Sequence, residues 1–150
     1  MIEESIDIEA PPERLYPMVS DLSRMGEWSP ENRGGKWVGG ATGAAEGAKF
    51  KSRNRRGWRR WSTVAQIVTA NPPKEVAWES RSFGLKIALW RYQFEPSGTG
   101  GTTVTESTED VRGSIMNVLG PLATGVRDRA GENKKNMRAT LEQLKKAAEA

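Results

Sequence analysis

Few residues in this chain have a type and position suited to chemistry. Glu106 shares a strand parity with Val104, so one register turns both inward. A carboxylate buried that way has a raised pKa and can act as an acid or a base. It can equally serve as a salt-bridge partner, for Arg81 or Arg91. Glu79 stands beside Trp78 on the opposite parity. Tyr92 offers a second acid/base candidate, and Asn133 interrupts an apolar helical stripe, where its amide would meet a ligand or make a local structural contact. The chain has no cysteine and no histidine. Ser–His–Asp, Cys–His and His- or Cys-based zinc chemistry are therefore excluded. No Gly-Lys-Ser/Thr phosphate loop or strand–GxGxxG–helix unit occurs, so neither a metal nor a cofactor is expected.

The aromatic residues form the other candidate set. Between residues 85 and 95 the even positions are Lys86, Ala88, Trp90, Tyr92 and Phe94, and the odd ones are Leu85, Ile87, Leu89, Arg91, Gln93 and Glu95. The even series stays apolar to the strand's end and is oriented inward, with Trp78 and Phe50 joining it. Rings so placed can line a pocket for a flat or lipidic ligand, with Tyr or Trp providing a polar handle. They can also simply fill a core.

The elements that must position these residues follow from periodicity. Ile2, Glu4, Ile6 and Ile8 alternate with Glu3, Ser5, Asp7 and Glu9, the pattern of a half-buried strand. Ala10-Pro11-Pro12 ends it and opens a helix carrying Leu15, Val19 and Leu22 on one face. Asp21 is placed to cap a second short helix that ends near Met25-Gly26. Glycines crowd residues 34–48 around Trp37-Val38, suggesting a short bent strand and then a flexible entrance over 39–47. Further strands are expected at about 48–56, 59–70, 75–82, 85–95 and 102–111. Asn71-Pro72-Pro73, Phe83-Gly84 and the run from Pro96 to Gly101 supply turns between them. Such short connections favour antiparallel neighbours. A long helix over 113–148 follows, with Ile115, Leu119, Leu122, Val126, Ala130, Met137, Leu141, Leu144 and Ala148 on one stripe and a kink at Gly120-Pro121.

The densest charge runs from Lys49 to Trp61, seven basic residues with two tryptophans. Such a surface could meet anionic lipid or nucleic acid. Alternation over Lys49–Arg55 instead predicts a basic strand face in water, with Arg55-Arg56-Gly57 as the hairpin turn. The net charge of +4 is modest and argues against nucleic acid as a partner. No run of about 18 apolar residues is present, so no transmembrane segment is expected. The acidic, alternating N-terminus is unlike a signal peptide, and the expected location is the cytoplasm.

The whole chain resembles a polyketide cyclase/dehydrase-type member of the START-like, helix-grip (SRPBCC) superfamily. The resemblance rests on Ile6–Tyr16, Val19-Ser20-Asp21-Leu22, Trp28-Ser29-Pro30 and Gly47-Ala48-Lys49-Phe50. It continues through Val68–Pro73, Trp78-Glu79, Trp90–Pro96, Gly100–Glu106 and the terminal helix. It implies an α+β fold in one domain spanning residues 1–150, in which a seven-stranded curved antiparallel sheet wraps a long C-terminal helix. Two short helices would lie between strands 1 and 2. It also implies an apolar cavity for a small hydrophobic or amphipathic ligand, such as a lipid, polyketide or aromatic metabolite. Phe50, Trp78, Trp90, Tyr92 and Phe94 would line that cavity with Met116, Leu119 and Met137, while Glu106 and Asn133 orient a polar group. A carrier is the favoured reading. An enzyme of cyclase, dehydratase or hydrolase type using Glu106 or Tyr92 is one alternative, and a basic interaction module acting through residues 49–61 is another.

Overall fold

A computed structural model describes residues 1–112, 121, 125 and 128–150. The strands are β1 (Ile2–Ile8), β2 (Asn32–Val38), β3 (Lys49–Arg56), β4 (Arg59–Asn71), β5 (Glu75–Ser82), β6 (Leu85–Pro96) and β7 (Thr102–Asp110). They form one antiparallel sheet in the order β1-β7-β6-β5-β4-β3-β2. The first strand thus reaches across to the last, while the others follow as neighbouring hairpins. Helix α1 (Pro12–Ser20) and a 3-10 helix (Leu22–Glu27) fill the connection between β1 and β2, and α2 (Arg129–Glu149) closes the chain. This is the helix-grip arrangement.

Local chemistry sets these boundaries. Pro11 and Pro12 begin α1 because a first-turn proline forfeits no helical hydrogen bond. The Asp21 carboxylate accepts from Ser23 N at 3.1 Å and opens the 3-10 helix, the short second helix expected there. Asp128 caps α2 by accepting from Gly131 N at 3.0 Å. Gly35 lies where the β2–β3 register shifts, and a Cβ there would collide with the Lys51 carbonyl oxygen, so only glycine fits. The Phe83-Gly84 turn has φ of 53° and 73°, the left-handed pair that joins two-residue hairpins. The long predicted helix is represented by α2; its earlier part over 113–128, with the Gly120-Pro121 kink, falls outside the described residues except for Pro121, Gly125 and Asp128.

The concave face of the sheet carries the core. Ile8, Phe94 and Val104 from the sheet cluster with Leu15 and Val19 of α1 and with Leu141, Leu144 and Ala148 of α2. Helix α2 lies chiefly against β1 and β7. Its C-terminal turn is fastened there by Lys145 Nζ, which donates to Asp7 O at 2.9 Å, and by Glu149, which accepts from Glu9 N at 2.8 Å. The basic hairpin obeys its alternation: Lys49, Lys51 and Arg53 are exposed, while Phe50 and Ser52 are buried. Among the described residues, no helix is long and apolar enough to cross a membrane.

Candidate functional site

Along the N-terminal half of α2, a cavity of about 370 Å³ opens between helix and sheet. Strand alternation builds its floor. Trp78, Ser80 and Ser82 of β5, Ala88, Trp90 and Tyr92 of β6, and Glu106, Thr108 and Asp110 of β7 all turn into it. Trp61, Thr63 and Ala65 of β4 and Ser52 and Asn54 of β3 continue the wall. Arg129, Asn133, Asn136, Met137 and Thr140 of α2 form the opposite side, and Glu31 enters from the loop before β2. Phe83 stands at the edge, 80% exposed.

Two polar groups stand out. The first is Glu106, 3% exposed and paired in register with Tyr92 on β6 and Glu4 on β1. Burial pushes the Glu106 carboxyl up to about 8, and a hydrogen bond from Tyr92 offsets part of the rise. Tyr92, buried beside this carboxyl, is itself raised well above the usual phenol value, first by desolvation and then by Glu106. Its ring stacks on Trp78 with centroids 5.6 Å apart and 19° between planes. Glu106 Oε2 and the neighbouring Thr108 Oγ1 are buried without a partner among the described residues. Burial therefore favours the neutral, protonated form of the Glu106 carboxyl near pH 7.

The second group lies where α2 begins. Arg129 Nη1 donates to Glu31 Oε1 at 2.7 Å, and Asn136 Nδ2 donates to the same oxygen at 2.9 Å. The Arg129 guanidinium lies 5.9 Å from the Trp61 ring centroid. Glu31 Oε2 and Arg129 Nη2 are buried with no partner among the described residues.

Residues 1–149 match the family described as polyketide cyclase/dehydrase and lipid transport. The chain belongs to that family. No curated protein matches it. Among solved structures, the Polyketide_cyc-like protein Cgl2372 from Corynebacterium glutamicum is 30% identical, with a TM-score of 0.58 over 99% of this chain and 88% of that one. Protein CV1439 from Chromobacterium violaceum is 16% identical with a TM-score of 0.73, covering 99% of this chain and 97% of the other. The di-domain ARO/CYC BexL from the BE-7585A biosynthetic pathway is 20% identical with a TM-score of 0.74. Here 99% of this chain covers 50% of BexL.

In this polyketide cyclase/dehydrase-family chain, the structure brings Trp78, Trp90, Tyr92, Glu106, Asn133 and Met137 onto the cavity wall. It leaves two others off that wall. Phe50 is fully buried and packs edge-on against Trp37, centroids 5.1 Å apart, while Phe94 packs edge-on against Tyr16 of α1 at 5.8 Å. Both face inward, as their parity requires, but neighbouring rings occupy the space a ligand would need. Met116 and Leu119 lie outside the described residues. Residues 39–47, expected at an entrance, are not part of the lining; the Phe83 turn borders the cavity instead. The salt-bridge alternative for Glu106 is also overturned. Arg81 pairs with Glu79 at 2.7 Å and Arg91 pairs with Glu75, both among side chains away from the cavity lining.

Glu31, Arg129, Asn136 and Trp61 escaped the sequence reading. Arg129 lies off the apolar stripe and Trp61 lies in the basic hairpin, so each reads as a surface residue. The one signal available was parity: Trp61 alternates in phase with Ala65 and Ile67, both buried.

Proposed function

We propose that this protein binds a small hydrophobic or amphipathic molecule in the cavity beneath the N-terminal half of α2. The observation that carries the reading is the cavity itself, about 370 Å³ between the stacked Trp78–Tyr92 pair and the helix. That is the size of a typical small-molecule site, with a mostly apolar wall and a few convergent polar groups. The family's description, which includes lipid transport, supports it. Trp78, Trp90, Tyr92 and Met137 would enclose the apolar body, and Glu106 and Asn133 would orient a polar group on it. Native mass spectrometry of freshly purified protein, followed by organic extraction, tests this. A stoichiometric adduct released into solvent is the expected result. An apo mass that stays unshifted after incubation with a panel of lipids and aromatic metabolites would overturn it.

A second reading draws on Glu106. A carboxyl group kept neutral at pH 7 inside a cavity is a suitable acid for cyclisation or dehydration. The likeness to an ARO/CYC protein is consistent with that role. Unchanged turnover of an identified substrate by a Glu106→Gln variant would eliminate it.

A further inference from the structure

We propose that Glu31, Arg129 and Asn136 form a second polar subsite, which takes an uncharged hydroxyl group of the cavity ligand and rejects a carboxylate or phosphate. The inference rests on the binding reading above and narrows its ligand class.

The geometry of the ion pair is the starting point. Arg129 Nη1 and Asn136 Nδ2 both donate to one oxygen, Glu31 Oε1, at 2.7 and 2.9 Å. An arginine facing a carboxylate can make two parallel hydrogen bonds. Here the second rung is missing: Arg129 Nη2 and Glu31 Oε2 are both buried and both unpartnered among the described residues. The pair is 15% exposed on each side, and both residues line the cavity. Leaving a buried donor and a buried acceptor unmade is costly, so a cavity occupant that satisfies both is favoured. A hydroxyl does this with a single atom, accepting from Nη2 and donating to Oε2.

An anion cannot. A carboxylate or phosphodiester would accept from Nη2 but face the Glu31 carboxylate with no proton to offer. Nor do the other charged side chains of the described lining supply a spare positive charge. Arg112 is held by Asp110 at 2.7 Å, and Glu106 is neutral below about 8. The positive end of the α2 dipole is met by the Asp128 cap, with Glu132 also in the first turn. The subsite is firmly placed, since Arg55 N donates to Glu31 O at 2.8 Å and ties the loop to β3, while Arg129 is the first residue of α2. Fatty acids and phospholipid headgroups are therefore poor occupants. An apolar or aromatic body bearing hydroxyl and carbonyl groups suits both ends, its carbonyl accepting from Glu106 and its hydroxyl bridging Arg129 and Glu31.

Equilibrium dialysis at pH 6.5 with 2-naphthol, 2-methoxynaphthalene and 2-naphthoate reads the three cases: donor and acceptor, acceptor only, and anion. Wild-type protein should bind 2-naphthol about tenfold more tightly than the ether, and the carboxylate most weakly. Glu31→Gln leaves the Arg129 charge unmatched and should raise 2-naphthoate affinity while lowering that of 2-naphthol, inverting the order. Should that variant not fold by circular dichroism, the wild-type order still decides. Equal binding of all three probes, or 2-naphthoate bound as well as 2-naphthol, would overturn the subsite while leaving the container intact. Binding of none at millimolar concentration would overturn both.

Discussion

Helix α2 lies over two unlike regions of the same sheet. Its C-terminal half sets Leu141, Leu144 and Ala148 against Ile8, Phe94 and Val104, each at most 4% exposed. Its N-terminal half sets Arg129, Asn133 and Asn136 opposite Ser80, Thr108 and Glu106, and leaves a cavity. The closed end uses matched aliphatic shapes, which pack at crystal density and gain from leaving water. Among the described residues, the open end holds four buried polar atoms without partners, Glu31 Oε2, Arg129 Nη2, Glu106 Oε2 and Thr108 Oγ1. Each weakens the folded state unless a water or a ligand meets it.

The sharpest way to break this contrast is to open the closed end. Leu141→Ala should destabilise the protein by about 2–5 kcal/mol in urea unfolding, because a fully buried leucine in a packed cluster leaves a void. A loss below about 1 kcal/mol would mean that the C-terminal half of α2 is no better packed than the N-terminal half.

An effect of comparable size should come from Glu106 and depend on pH. Its folded-state value of about 8 lies above the 4.5 of an exposed glutamate, so between these pH values the folded protein holds a proton that the unfolded chain has released. Stability is then greatest below about 4.5 as far as this group is concerned, falls as pH rises toward 8, and levels off above it. The full drop is on the order of a few kcal/mol at ~1.4 kcal/mol per unit. Glu106→Gln keeps a neutral, hydrogen-bonding group and should flatten the slope, so that the variant melts above wild type at pH 8.5. Thermal melts at pH 5.5, 7 and 8.5 would show it. Parallel pH profiles for the two proteins would mean that Glu106 is hydrated and that the open end is wetter than its burial indicates.

The smallest effect sharpens the comparison. Thr108→Val removes a buried hydroxyl that has no partner among the described residues and keeps the shape, so the ligand-free protein should gain about 0.5–1 kcal/mol. A loss instead would place an ordered water or ligand on that hydroxyl.

Much of this architecture was legible along the chain. The β5, β6 and β7 spans agree with the expected strands to within a residue, because period-two alternation and the Pro/Gly turns between them are local signals. Inward parity was legible too: Trp78, Trp90, Tyr92 and Glu106 all reach the cavity. Parity, however, fixes only the side of the sheet. Phe50 and Phe94 share that side but meet Trp37 and Tyr16, partners delivered by β2 and α1 through tertiary packing. The Glu31–Arg129 pair joins residues 98 positions apart, and neither has an apolar pattern around it that would mark it as interior.

The sequence by itself determined the order of strands and helices, the faces they present and the absence of histidine and cysteine chemistry, since these depend on residue type and near neighbours. Tertiary structure alone decided which inward residues border empty space and which are covered. It also brought Arg129 to Glu31 and, among the described residues, gave Glu106 no charged partner, because those outcomes depend on where α2 comes to rest over the sheet. The physical reason is one of range: alternation and capping act within a few residues, whereas cavities and buried charges are settled by contacts between distant parts of the chain.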